Sequence, residues 1–251
     1  MADQNPQRVA MVTGGGIRVG RAITLALAGA EYDVLISYRS SAGPAEETRA
    51  AVESLGRRCE TVRADLRVPS SADVVIDAVR DRFGRLDLVV NSAASFDERA
   101  LLDLDAEAWD TVMSLNVRAP HLVVRAAADL LRETRGSVVN IVDLSAFQPW
   151  TDHPAHSVAK AALAHLTRIQ ARALAPEIRV NGIAPGTVLP ANDWPPERWD
   201  ALAHIAPLQR VGSPRDVAQA VLFFAGAEFV TGQILAVDGG LLLGPTEPPR
   251  E

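Results

Sequence analysis

One cysteine, one lysine and two tyrosines are all that this 251-residue chain has of those residue types. Cys59 cannot close a disulfide within the chain, so the fold must rest on an apolar core, as expected for a reducing compartment. No apolar run approaches the roughly 20 residues that a membrane-spanning helix needs. The polar start of the chain leads into an apolar segment too short for a signal core, so a cytoplasmic protein is expected. Nor do basic residues dominate: 25 Lys and Arg against 31 Asp and Glu leave a net charge of −6. The arginines are scattered, which gives no field for a nucleic-acid backbone. Neither nucleic acid nor a membrane is therefore an expected partner, and no set of metal ligands is read from the sequence. The absence of an internal period of roughly 20–50 residues excludes a solenoid.

What is present fits a globular domain, with 48% hydrophobic and 22% charged residues. Short, β-branched apolar runs recur at Arg8 to Thr13, Asp33 to Tyr38, Arg58 to Arg63, Leu86 to Asn91, Ser137 to Val142, Ile178 to Ile183 and Ile234 to Val237. They read as buried strands. Between them, stretches with apolar residues three and four apart read as helices: Arg21 to Gly29, Ala45 to Leu55, Ser71 to Phe83, Ala106 to Asn116 and Ala155 to Leu174. This alternation predicts an α/β fold of Rossmann type, a single domain over 1–244 with a doubly wound parallel sheet of about seven strands and helices on both faces. The proline-rich stretch from Pro185 to Pro214, with Trp194 and Trp199, is long for a connection. It reads as a substrate lid over 186–212, Trp194 offering an apolar wall. Residues 245–251 read as a flexible tail.

The glycine-rich run from Thr13 to Gly20, with Gly14, Gly16, Arg18 and Val19 inside it, follows the first strand and opens the first helix. In that context glycines let backbone N–H groups approach a pyrophosphate at a helix N-terminus. A carboxylate at the end of the second strand would bind the ribose of NAD; this chain has Tyr38, Arg39 and Ser40 there. An arginine with neighbouring hydroxyls suits the 2′-phosphate of NADPH, and Arg18 adds positive charge. The bland alternatives are a plain tight turn and a solvated loop arginine.

Lys160, the sole lysine, lies four residues after His156, and His156 lies thirteen after Asp143. A composition that uses arginine everywhere else has kept an ammonium here, a compact charge with a tunable pKa. An ordinary exposed helix lysine is the competing reading.

These residues together resemble the short-chain dehydrogenases/reductases over almost the whole chain. The matching segments are Thr13 to Gly20, Ala64-Asp65-Leu66, Asn91-Ser92-Ala93-Ala94, Asn116, Lys160, Asn181 with Pro185-Gly186, and Val237-Asp238-Gly239-Gly240. The resemblance implies that Asp65, followed by Leu66, accepts the adenine amine and that the segment from Asn91 through Ala93 lines the cofactor together with Pro185 and Gly186. It also implies that Asn116 positions a water beside Lys160 and that Lys160 holds the ribose. Within the family the chain is most similar to pteridine reductases and related dihydropterin and dihydrofolate reductases, on Arg18, Phe96, Asp143 and the Gln148-Pro149 pair. By that resemblance Phe96 stacks on a flat heterocycle, and Asp143, Phe147, His156 and Trp194 contact substrate. Members are commonly tetramers built on the helices around Ala106 to Leu131 and Ala155 to Leu174 and on the last strand, so a homotetramer or a homodimer is expected.

At one position the chain departs from the family. The family's general acid is a tyrosine four residues before the lysine, and here that residue is His156. Residues four apart share a helix face, so His156 and Lys160 point into the same cleft. A neighbouring ammonium opposes a second positive charge on the ring, which makes the histidine a weak acid toward an alkoxide. The expectation is hydride transfer from NADPH to a cyclic C=N of a pterin-like substrate, with Asp143 as proton source and His156 orienting substrate or water. The alternatives are a carbonyl reductase or alcohol dehydrogenase that uses His156 as acid and base, and a catalytically silent NADPH-binding protein.

Overall fold

The computed structural model describes residues 7–190 and 196–244. Seven strands form one parallel sheet: β1 (Val9–Thr13), β2 (Asp33–Tyr38), β3 (Cys59–Arg63), β4 (Leu88–Asn91), β5 (Ser137–Ile141), β6 (Arg179–Pro185) and β7 (Ile234–Val237). Their order is β3-β2-β1-β4-β5-β6-β7. The chain winds outward from β1 in one direction and then from β4 in the other. The β1/β4 boundary is thus the topological switch point, where α/β sheets place their ligands.

Eight helices are described: α1 (Arg18–Gly29), α2 (Ala42–Ser54), α3 (Ser71–Phe83), α4 (Ala106–Met113), α5 (Ala119–Thr134), α6 (Pro154–Leu174), α7 (Pro196–Ile205) and α8 (Pro214–Gly226). All five residues of β1 are buried because both faces of the strand are covered. Ala10 and Val12 pack with Ile23 and Leu27 of α1, Val52 of α2 and Val221 and Phe224 of α8. Met11 points the other way, into Val75 and Val79 of α3 and Val123 and Leu131 of α5. That alternation along a wholly apolar strand is the packing signature of a doubly wound sheet. Cys59 sits in the first of these cores, and burial pushes its thiol up to about 12, so it behaves as a small hydrophobe.

Two differences from the sequence reading have physical causes. The stretch around Ala106 to Asn116 is not one helix: α4 ends at Met113 and the chain widens into a π-helical turn, Ser114–Arg118, before α5 begins. An inserted π turn leaves the apolar spacing almost intact and is often found at functional sites. The proposed lid is not wholly irregular either, since α7 lies within it; Pro196 starts that helix, where a missing N–H costs nothing. Trp194 and the tail 245–251 lie outside the described residues. Among the described residues no helix is long and apolar enough to cross a membrane.

Candidate active site

Strand register brings the glycine turn and the asparagine motif together. Thr13 lies beside Ser37 on one side and Asn91 on the other, and Asn91 lies beside Asn140. The Thr13 hydroxyl accepts from the N–H groups of Ser92 and Ala93 at 2.9 and 3.0 Å. Asn91 Nδ2 donates to Asn140 Oδ1 at 2.8 Å, and Asn140 donates on to Thr167 of α6 at 2.9 Å. These two side chains therefore fasten the carboxyl edge of the sheet from within.

The glycine turn fits a dinucleotide phosphate. A Cβ on Gly20 would lie 2.2 Å from the Gly14 carbonyl oxygen, one on Gly16 would lie 2.9 Å from Ala45 Cα, and Gly14 has a φ of +65°. Only glycine tolerates such closeness and such a backbone. The carbonyls of Gly15 and Gly16 are turned inward onto the hydroxyls of Thr24 and Thr48, both at 3.0 Å. No side chain caps the first turn of α1 and no acidic residue lies in it, so its N–H groups remain available to an anion. Val19 packs against the core beside this turn. Arg18, itself at a φ of +51°, reaches across to donate to the Pro190 carbonyl at 3.2 Å, linking the turn to the start of the lid.

At the far end of the cleft Tyr38 packs on the core, while Arg39 and Ser40 are exposed on the loop after β2. Arg63, opposite Tyr38 on β3, donates to the Arg39 carbonyl at 3.2 Å and steadies that loop; no sequence pattern singled it out. Asp65 is held down to about 2, chiefly by hydrogen bonds from Arg67 at 2.9 and 2.5 Å, so an adenine amine would share its oxygens with that guanidinium. Leu66 is buried in the core and can face a cofactor only through its backbone. Pro185 ends β6 and Gly186 follows it, where a Cβ on Gly186 would meet Asp238 Cα at 2.8 Å.

The proposed catalytic residues converge from three elements. His156 and Lys160 stand one turn apart on α6, which Pro154 starts. Asn116 comes from the π turn, and Asp143 leads from β5 into a short 3₁₀ turn, Leu144–Ala146, at whose end Phe147 stands half exposed. The His156 ring is 0% exposed and Lys160 only 4%. Lys160 Nζ donates to the Ile141 carbonyl at 2.7 Å, and burial, partly opposed by Asp143, brings the ammonium down from 10.5 to about 8. It is no surface lysine.

His156 Nδ1 lies 3.2 Å from the Ser95 carbonyl and 3.3 Å from Asn116 Nδ2. Among the described residues its Nε2 has no hydrogen-bond partner, and it faces Asp143 Oδ2 at 3.8 Å. Phe96 lies against the ring almost parallel, with centroids 4.0 Å apart and planes 18° apart, and meets His153 edge-on at 5.9 Å. Phe96 thus stacks on the histidine through one face, and at 58% exposed it keeps surface open to solvent.

Asp143 is pulled in two directions. Burial pushes its carboxyl up, but the facing His156 ring, the Ser145 N–H at 2.8 Å and the Lys160 charge together bring it below the ordinary carboxylate range. Held in that direction, the carboxyl favours its ionised form. The Asn116 side chain contacts His156 and the Ser95 peptide.

Known proteins share this architecture. A family model described as enoyl-(acyl carrier protein) reductase matches residues 16–242. The chain is 39% identical to an uncharacterized oxidoreductase of Mycobacterium tuberculosis, over 93% of this chain and 92% of that one. It is 31% identical to a 3-oxoacyl-[acyl-carrier-protein] reductase of Synechocystis, over 94% of this chain and 97% of that one. The crystal structure of acetoin dehydrogenase from Enterobacter cloacae superposes with a TM-score of 0.89 at 30% identity, over 98% of this chain and all of that one. A phosphate cradle at the switch point of this sheet and likeness along nearly the full length lead to one assignment: the chain belongs to the short-chain dehydrogenase/reductase family of oxidoreductases, which act with a nicotinamide cofactor.

Proposed function

We propose that the protein is an NADPH-dependent carbonyl reductase in which His156 replaces the family's tyrosine as proton donor. The observation that carries this reading is the buried His156 Nε2 aimed at the Asp143 carboxylate. A nicotinamide cofactor held by the glycine turn and Lys160 would supply the hydride to the carbonyl carbon. The π electrons of the C=O bond then move to oxygen, which takes the proton from Nε2 of the imidazolium and leaves a neutral ring. Asp143 faces that ring with an opposite charge, and Lys160 keeps two N–H groups for a ribose after its bond to Ile141. Phe96 covers one face of the His156 ring from the irregular chain between Ser92 and Ala100.

A ketone suits this arrangement better than the C=N acceptor expected from sequence, because an ionised Asp143 removes the direct proton source for that reaction. The relatives named for a carbonyl substrate point the same way. A cyclic C=N acceptor stays the second reading on one observation, the exposed surface of Phe96 on which a flat ring can stack. Following NADPH oxidation with ketones, including a 3-oxoacyl thioester, and with dihydropterins and a cyclic imine separates the readings. Ketone turnover is the expected result, imine turnover alone would reverse the order, and tight NADPH binding without oxidation by any of them would indicate a silent binder. In the same assays Arg39→Ala should weaken NADPH binding by about 10- to 100-fold and leave NADH nearly unchanged, the loss of one or two charged hydrogen bonds.

We also propose assembly into a homotetramer or homodimer. A trough lined by Thr111, Met113, Val117 and Leu166 runs between the π-turn region and α6, and α6 turns Val158 and Ile169 to solvent. Burying such a face is the usual resolution for exposed apolar surface. Light scattering should read a multiple of the 26.8 kDa chain; the mass of a single chain would refute the assembly.

A further inference from the structure

Asn116 and the Ser95 peptide surround one nitrogen of His156 in an arrangement that nothing in the family resemblance assigns. The Asn116 amide is locked by reciprocal bonds to that peptide: its Oδ1 accepts from Ser95 N–H and its Nδ2 donates to the Ser95 carbonyl, both at 2.9 Å. The reciprocity fixes which end of the amide is oxygen. Nδ2 then has one hydrogen left, and its neighbour is His156 Nδ1 at 3.3 Å. The Ser95 carbonyl, with a second lone pair, lies 3.2 Å from the same nitrogen. His156 Nδ1 therefore has a donor and an acceptor beside it at once.

We propose that the Asn116 amide and the Ser95 carbonyl act as a tautomer clamp, which serves His156 Nδ1 in either protonation state and so keeps the proton on Nε2 in the resting enzyme. In the neutral ring Nδ1 is bare and accepts from Asn116, which places the single N–H on Nε2, toward Asp143. In the imidazolium Nδ1 carries a hydrogen and donates to Ser95, while Nε2 keeps its own. The alternative neutral tautomer would set a bare, solvent-shielded Nε2 lone pair against the Asp143 carboxylate 3.8 Å away, a repulsion that burial of the ring strengthens. The charged groups facing the ring are Asp143, from the β5 end, and Lys160, one turn along α6; Phe96 covers the ring face and adds no charge. Once Nε2 gives up its proton, the Nδ1–H that remains has the Ser95 carbonyl as acceptor, but the bare Nε2 faces Asp143, so the ring is driven to take a proton back at Nε2. Asn116 is in this view a positioning residue that acts through His156. The inference rests on His156 as proton donor but is tested without turnover.

The test is long-range 1H–15N correlation on protein labelled with 15N-histidine, without substrate, with His156 assigned by comparison with His156→Phe. Wild type should show the Nε2–H tautomer for the neutral ring. Asn116→Ala, which removes the donor, should lose that preference, and Asn116→Asp, a near-isosteric acceptor, should move the ring to protonated Nδ1. A wild-type ring in the Nδ1–H tautomer, or a tautomer unchanged in both variants, would overturn the clamp. Ketone turnover measured on the same samples tests the proposed function separately. An active enzyme with the wrong tautomer sinks only the clamp, and an inactive one with the expected tautomer sinks only the reductase reading.

Discussion

Replacing His156 with phenylalanine is expected to lower kcat for ketone reduction by about 10²- to 10⁴-fold, the usual worth of a positioned general acid. The substitution keeps an aromatic ring under Phe96, where the two rings already lie 4.0 Å apart, and removes Nε2, which has no hydrogen-bond partner among the described residues, together with Nδ1 beside Asn116 and Ser95. Leaving the Asn116 N–H without that neighbour should cost about 1–3 kcal/mol of stability, while NADPH affinity should stay near that of wild type because the phosphate cradle lies on other elements. Asp143→Asn is the informative companion. With Asp143 a carboxylate that faces the donor, its loss should cost less than the loss of the donor itself. Steady-state kinetics of the two variants decide the order. If Asp143→Asn is the more damaging, or if His156→Phe turns over at the wild-type rate, the assignment of the proton to His156 fails.

The sheet was legible because burial on both faces leaves a simple trace in sequence. Asp33 to Tyr38 and Ile234 to Val237 are strands with the bounds that their apolar runs suggest. Breaks in hydrogen bonding that leave side-chain spacing intact were not legible. The π turn at Ser114–Arg118 hides in a stretch that keeps helical periodicity, and α7 hides in a proline-rich segment that reads as loop. The site divides along the same line. His156 and Lys160 share a helix face and could be paired from their spacing, and Asn116 and Asp143 could be added by resemblance. The contacts that set the chemistry come from afar or from backbone: Phe96 on the His156 ring, the Ser95 carbonyl at Nδ1, and the Ser145 N–H on Asp143. A backbone carbonyl has no letter in the sequence. The pull on Asp143 was hidden for the same reason, since the sequence shows the charge of Lys160 but not the Ser145 N–H and the His156 ring beside the carboxylate.

Lys160→Met should separate function from stability. An ammonium at about 8 in the folded state, against 10.5 when unperturbed, is a charge that folding penalises. The unfolded chain binds the proton more tightly, so between about pH 8 and pH 10.5 stability rises as the folded state sheds it. Above that window the penalty is gone, and as pH falls through 8 it is present in full, at about 3 kcal/mol. Methionine carries no such charge, and its variant should lack this rise. At neutral pH the relief is offset by the Ile141 carbonyl, whose loss of a 2.7 Å partner costs about 1–3 kcal/mol. The net change near pH 7 is therefore small, and the signature lies in the slope. Urea unfolding of both proteins at pH 7.5, 9 and 10 should show wild type gaining on the variant by up to about 3 kcal/mol. Equal slopes would mean that the lysine is not buried as a charge. Activity should move the other way, with kcat/KM down by about 100-fold or more, as for a reactant held out of place. The one lysine that the chain keeps thus carries a charge that folding penalises below pH 8, offset by the Ile141 carbonyl and kept for what the ammonium does beside His156 and Asp143.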